Sequence, residues 1–318
     1  MRFKSGIAVT CVYFQALLFF SCNPKPENTA AVNTPTSGRL NIYFEEGLEK
    51  HVRNQAYTFE TIYYNTELFL FPSNEDRAIQ ALFNDSCETI VVTRLLSAKE
   101  KKAFASRKYT VDYSLVAKTG LAIICNAGLA LKTLKYQDVL ALLEQSPNIR
   151  DSLGNSIPLS LLIDKSGSAV YNYLKDSLLK GQNLPPYFSS LNSGLEAINY
   201  VASHQNALGF VDFALLSDVD DSLSKAISNK IRVLAIGAKT HNGRYEKPNQ
   251  SNFKLNTYPF TRNVYVMRKT GDFTLAKGFE SFVAGPKGQT IFLKQGLLPN
   301  RQQERQISVN FEPLELKQ

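Results

Sequence analysis

The stretch Asp164-Lys165-Ser166-Gly167-Ser168-Ala169 concentrates polar chemistry at one point of the chain. It stands directly before an apolar periodic run, Val170, Tyr173, Leu174 and Leu178, which predicts a helix. Ser166 or Ser168 caps such a helix, Gly167 lets the backbone approach closely, and Lys165 adds a positive charge. Free N–H groups, hydroxyls and the positive end of the helix then converge where an oxyanion could sit, although Ser-Gly-Ser also serves as a plain helix cap. Three other loops share this character. Phe71-Pro72-Ser73-Asn74-Glu75-Asp76 opens a second periodic run at Ala78, Ile79, Leu82 and Phe83, with Ser73 and Asp76 at capping-box spacing. Thr93-Arg94 closes the apolar run Ile90-Val91-Val92, at the strand end where α/β sheets hold ligands. Arg94 either clamps two oxygens or pairs with Glu100 on the surface. Glu45-Glu46-Gly47 follows the first strand, and Gly47 permits backbone amides to turn inward.

The elements that must position these loops alternate short apolar runs with helical patterns, which predicts an α/β architecture. Strands are expected at 40–44, 89–93, 121–125, 208–213, 231–236 and 264–267, several continuous enough for a parallel sheet covered on both faces. Two further helical faces are Leu195, Ile198, Val201 and Ala202, then Leu275, Phe279, Phe282 and Val283. The polar, Asn-containing segment 239–258 reads as a long surface excursion.

The chain opens with Arg2 and Lys4, a mostly apolar run at 7–20, then Ser21-Cys22. That run is short for a bilayer span and suits an export leader. Its ending, a cysteine after a small residue, resembles a bacterial lipobox with Phe19 and Phe20 bulkier than usual. The expectation is a leader at 1–21, lipidation at Cys22, a flexible tether at 22–37 and a protein facing the periplasm or cell surface. The 44% hydrophobic and 20% charged composition is that of a globular protein with real cores. Its formal charge of +8 is dispersed, which favours small anions and excludes a nucleic-acid patch. His51, His204 and His241 lie far apart without metal-ligand spacing. With Cys11 in the leader and Cys22 lipidated, Cys87 and Cys125 remain, either paired or simply buried.

The four loops, in this order of strands and helices, resemble the phosphate-binding members of the periplasmic-type solute-binding proteins of ABC importers, over residues 38–299. Thr93-Arg94-Leu95-Leu96-Ser97-Ala98-Lys99-Glu100 is similar to the family's Ser/Thr-Arg-x-Leu…Glu segment, and Ser166-Gly167-Ser168 to its Ser-Gly-Thr anion loop. Ala207-Leu208-Gly209-Phe210-Val211, Tyr258-Pro259-Phe260-Thr261-Arg262 and the Gly296-Leu297-Leu298-Pro299 ending resemble three more of its segments. The resemblance implies a two-lobed, type II-like fold with paired hinge strands, lobe one from 38–120 and 258–318, lobe two from 121–257. Glu46, Gly47, Ser73, Thr93, Arg94, Ser166, Gly167 and Ser168 would line the interlobe cleft and hold phosphate or a similar oxyanion. The partners implied are the membrane subunits of an ABC importer, for a monomer without cofactor or metal. Two departures stand out. Leu162 replaces an arginine four residues before Ser166, and Glu45-Glu46 replaces a serine or threonine. A carboxylate there repels a phosphate unless it points away or accepts a proton from it.

Two other classes remain. A serine hydrolase lacks both a Gly-x-Ser-x-Gly elbow and a base near Ser166 or Ser168. A non-transporting sensor or scaffold lipoprotein with the same fold fits the acidic first loop and Leu162.

Overall fold

The computed structural model describes residues 33–150, 156–239, 243–271 and 274–301. The leader, Cys22 and most of the tether lie outside them. Among the described residues no helix is long and apolar enough to cross a membrane.

The fold is organised by one 16-residue strand, Val111–Asn126, which belongs to both halves of a 10-stranded mixed sheet. Every residue from Thr119 to Cys125 is buried, as a strand covered on both faces requires. Beside its first half runs Thr261–Lys269, antiparallel, followed outward by Thr89–Val92, Gly38–Glu45 and the edge strand Thr66–Ser73. Beside its second half runs Ala207–Asp212, antiparallel, followed by Ser160–Ile163 and Phe188–Ser190. The outer strands of each half are parallel, as expected from their apolar runs. The central ones are antiparallel because the chain crosses from one half to the other and returns.

Against the return strand, the long strand has a bulge. Val264 faces Ala117 while Tyr265 faces Leu115, so Val116 is the extra residue. Its carbonyl is not orphaned, since the Gln289 side chain and the Asn300 N–H donate to it at 2.9 and 3.1 Å. A few residues on, Gly120 has no room for a side chain. A Cβ there would stand 2.9 Å from the Phe253 ring.

Helices cover both faces. Glu49–Ile62 buries His51, Val52, Gln55, Ala56 and Phe59, the i, i+4 rows of one face. Phe59 meets Phe279 and Phe282 edge-on at 5.7 and 5.3 Å, which fastens this helix to Leu275–Ala284. A smaller core under the first half-sheet gathers Ile79, Leu82, Cys87, Ile90, Phe104 and Met267.

Two expectations change, and the open choice for the cysteines closes on plain burial. The 231–236 run divides at Leu234, with Ile231–Val233 on the long strand and Ala235–Gly237 paired to Thr133–Leu134. The segment 239–258 is not a simple surface excursion: Gln250–Lys254 is helical, and Phe253 and Tyr258 are buried in the core. Cys87 and Cys125 are both buried and both free, in separate cores.

Candidate functional site

The four loops meet. Gly38–Glu45 delivers Glu45 and Glu46 at its carboxyl end, Thr66–Ser73 delivers Ser73, and Thr89–Val92 delivers Thr93 and Arg94. Across from them, Ser160–Ile163 leads into residues 164–168. The Asp76 N–H donates to the Gly167 carbonyl at 3.1 Å, and the Asn74 amide to the Ser166 carbonyl at 3.2 Å. The Asn172 amide donates to Asp76 Oδ1 at 2.8 Å, and Lys165 pairs with Glu46. Gly167 adopts φ +78°, and a Cβ there would lie 3.0 Å from Asp76 Oδ2. Only glycine gives this contact without strain.

The helix caps fall partly where expected. Ser168 accepts from the Tyr171 N–H and caps Ala169–Asn172, which continues as a π-helical turn to Leu178. At the second loop Asn74, not Ser73, is the cap, its side chain accepting from Arg77 N–H at 2.9 Å. Ser73 is the buried last residue of its strand, and its hydroxyl donates to the Asn74 carbonyl at 3.1 Å.

Most of the donors expected to face an anion are bonded to carboxylates instead. Arg94 places Nη1 and Nη2 on Glu100 at 2.8 and 2.9 Å, Nη2 on Asp76 at 3.0 Å, and Nε 3.3 Å from Glu75. Of its two expected roles, pairing with Glu100 is the one present. Burial pushes the Glu100 carboxyl up, but hydrogen bonds from Arg94 and Ser97 outweigh it and hold it down to about 2. Thr93 donates both its N–H and its hydroxyl to Glu75 Oε1, at 2.7 and 3.0 Å. The Ser168 hydroxyl donates to Asp164. Gly47 packs against Asp212, whose Cβ would stand 3.1 Å from a Cβ at position 47.

Residues outside the expected cleft lining make the centre of the site. Arg262, on the return strand and 5% exposed, pairs through Nη2 with Asp212 Oδ2. Asp212 Oδ1 accepts from the Thr119 hydroxyl and the Ala214 N–H, both at 2.8 Å. The Arg262 Nε and Nη1, the Arg94 Nε and the Glu45 Oε2 are buried without a hydrogen-bond partner. Burial raises the Glu45 carboxyl well above its usual range, helped by the neighbouring Glu75, Asp164 and Asp212. Burial also pushes Asp164 up to about 7, against the pull of Ser168 and Arg262. Asp212 had a sequence signal, closing an apolar strand, whereas Arg262 stands second in a strand of mixed polarity. Asp164 opens the loop that was singled out, but its burial is not written in its neighbours.

Cavities open on two sides of this centre. One of about 650 Å³ is lined by Glu45, Glu46, Lys50, Asp164 and Asp212 among others. Another of about 430 Å³ is lined by Glu75, Thr93, Arg94, Asn172, Tyr173 and Arg262 among others. An apolar hollow around Leu95, Phe104 and Met267 contains none of the arginines or carboxylates of the site. Neither described histidine serves as a base here: His51 is buried against Ser217, and His204 stacks on Tyr200. No group of His, Cys, Asp and Glu among the described residues is placed to hold a metal ion.

Residues 23–287 match the family PBP_like_2, a PBP superfamily domain. The fold is similar to that of a Clostridium perfringens protein assigned to phosphate ABC transport and solved with bound phosphate. The TM-score is 0.69 at 16% identity, covering 83% of this chain and 100% of that one. An ABC-type phosphate transport receptor from Vibrio cholerae gives 0.62 at 14% identity, covering 82% and 100%. PstS from Borrelia burgdorferi gives 0.52 at 17% identity, covering 83% and 99%. At these identities the likeness establishes the fold, a mixed α/β architecture of the type II periplasmic-binding-protein kind. No curated protein matches the chain by sequence.

Proposed function

Since the chain belongs to the PBP superfamily, we propose that it is an extracytoplasmic receptor that captures a protonated oxyanion, phosphate first, for an ABC importer. Lobe one comprises 38–120 and 258–318, lobe two 121–257, and Cys22 carries the lipid that holds the protein at a membrane. One observation carries the reading. At the junction of four loops and a hinge strand, Arg262 keeps two buried donors free beside carboxylates that burial has made easy to protonate. The guanidinium supplies the donors that an oxyanion needs, and a carboxylate that accepts a proton from phosphate has no such partner in sulfate. Thr93, Arg94 and Ser168 take part by exchanging their carboxylate partners for the ligand as the lobes reopen and close. The protein acts by binding and carries out no chemistry on its ligand.

Calorimetric titration of phosphate into refolded, ligand-stripped protein, with sulfate as control, tests this. Micromolar binding of phosphate alone is expected, and silence toward both anions would remove the oxyanion reading. The carboxylates that occupy Arg94 and Thr93 favour a second reading, a sensor or scaffold lipoprotein with the same fold and no transported solute. A panel of small oxyanions that leaves the melting temperature unchanged would select it. Anchoring has its own test: radiolabelled palmitate should enter the wild-type protein and not Cys22→Ala.

A further inference from the structure

We propose that residues 302–318 act as a strap: they return along the open edge of the long strand and seat Ile307, Val309 and Phe311 in the apolar hollow beside Phe104 and Met267. This role is independent of which ligand the cleft takes.

The first observation is an unpaired edge. Residues 111–115 of the long strand have the return strand on one side and, among the described residues, no strand on the other. A bare strand edge invites pairing. The second is direction. Leu298 faces Lys118, Pro299 faces Ala117, and the Asn300 N–H donates to the Val116 carbonyl at 3.1 Å. Each step forward in this segment is a step back along the long strand, so Arg301 hands the chain on toward residues 115–111. About five residues at about 3.3 Å each pass that stretch. Ile307, Val309 and Phe311 come next, alternating with Ser308 and Asn310, a spacing that gives an extended segment one apolar face.

The third observation is what lies at that end of the edge. Val111 and Tyr113 line the hollow of about 430 Å³, together with Leu96, Phe104 and Met267. Tyr113 is 56% exposed, a large ring left in water. Only Lys101 and Lys108 bring charge to the rim, no carboxylate lines it, and neither lysine has an ion pair among the described residues. The strap carries the missing sign, since Glu312 and Glu315 follow directly on Phe311. Burial of the apolar side chains drives the docking, and the exposed charge pairs orient it.

The chain contains no tryptophan, so Phe311→Trp gives a single reporter within the strap. In the full-length protein in detergent its emission should lie well to the blue of the same protein in urea, at every protein concentration. Ala105→Glu puts a charge into the hollow from an exposed position on helix Ala98–Ser106. It should return the emission to the urea position and speed tryptic cleavage after Arg305 at least about tenfold. Cleavage follows the undocked population, and one buried aromatic side chain is worth about that factor. Lys101→Glu, which reverses a rim charge, should shift both readings the same way and serves if Ala105→Glu does not fold. Emission at the urea position without either variant would overturn the proposal. So would blue emission that survives both variants, as insertion into detergent would give, or that grows with protein concentration, as exchange between copies would give.

Discussion

Replacing Asp164 by asparagine should flatten the dependence of stability on pH. Asp164 lies 7% exposed in the site, and burial raises its carboxyl from 3.8 to about 7. A carboxyl whose folded value exceeds its unfolded value favours the folded state while it is protonated. That contribution is complete below the unfolded value and is lost as pH rises through the folded one. A displacement of about three units corresponds to roughly 4 kcal/mol over the whole window, of which about 2 kcal/mol falls between about pH 5.5 and 8. Asparagine preserves the shape and still accepts from the Ser168 hydroxyl, but it does not titrate. Urea unfolding of both proteins at those two pH values should show the wild type losing about 2 kcal/mol relative to the variant. Groups with depressed values, such as Glu100, are common to both proteins and cancel in the difference. Glu45 is coupled to Asp164 by repulsion and adds in the same direction. Parallel stability curves, or a wild type that gains on the variant toward alkaline pH, would refute the reasoning.

Arg94→Ala should lower stability by about 3 kcal/mol in urea, because it leaves Glu75, which is fully buried, without its cation. A loss below the error of the measurement would mean that the Arg94 network is not structural. Gly167→Ala should cost about 1–2 kcal/mol, the penalty of an L-residue at positive φ, and should be visible as a lower melting temperature than that of a control Ser166→Ala. Burial pushes the thiols of Cys87 and Cys125 up to about 12 and about 11. Both should therefore resist Ellman's reagent in the folded protein and react in denaturant; fast labelling in native buffer would contradict their burial.

Strands could be read from the chain where burial is continuous, as at Thr89–Val92 and Ala207–Asp212, or alternates, as over most of Gly38–Glu45. The edge strand Thr66–Ser73 could not, because it leaves Phe69 and Phe71 exposed and so breaks the alternation that marks a half-buried strand. Glu49–Ile62 was hidden for a related reason. Two of its inward positions are the polar His51 and Gln55, each bonded through one atom to a partner far along the chain, Ser217 and the Gly288 carbonyl. The first half of Val111–Asn126 carries Asp112 and Ser114, which are bonded to Arg268 and Glu280. The site shows the same division. Local spacing placed the loops and the Ser168 cap. The pairings that occupy their donors join positions distant in sequence, 46 with 165, 75 with 94, and 212 with 262, and no spacing rule reaches them.

The bulge at Val116 sets the parity of the central strand. Side chains alternate between the two faces of a strand, so one extra residue exchanges the faces for everything beyond it. On one side of position 116, Asp112 and Ser114 reach Arg268 and Glu280; on the other, Thr119 reaches Asp212. Both sets meet their partners only because the strand counts one residue more than its neighbour between them. Deleting any single residue from 115 to 118 would turn one set to the wrong side of the sheet, whichever residue was removed. The number of residues between Ser114 and Thr119 is thus a tighter constraint on this chain than the identity of any one of them.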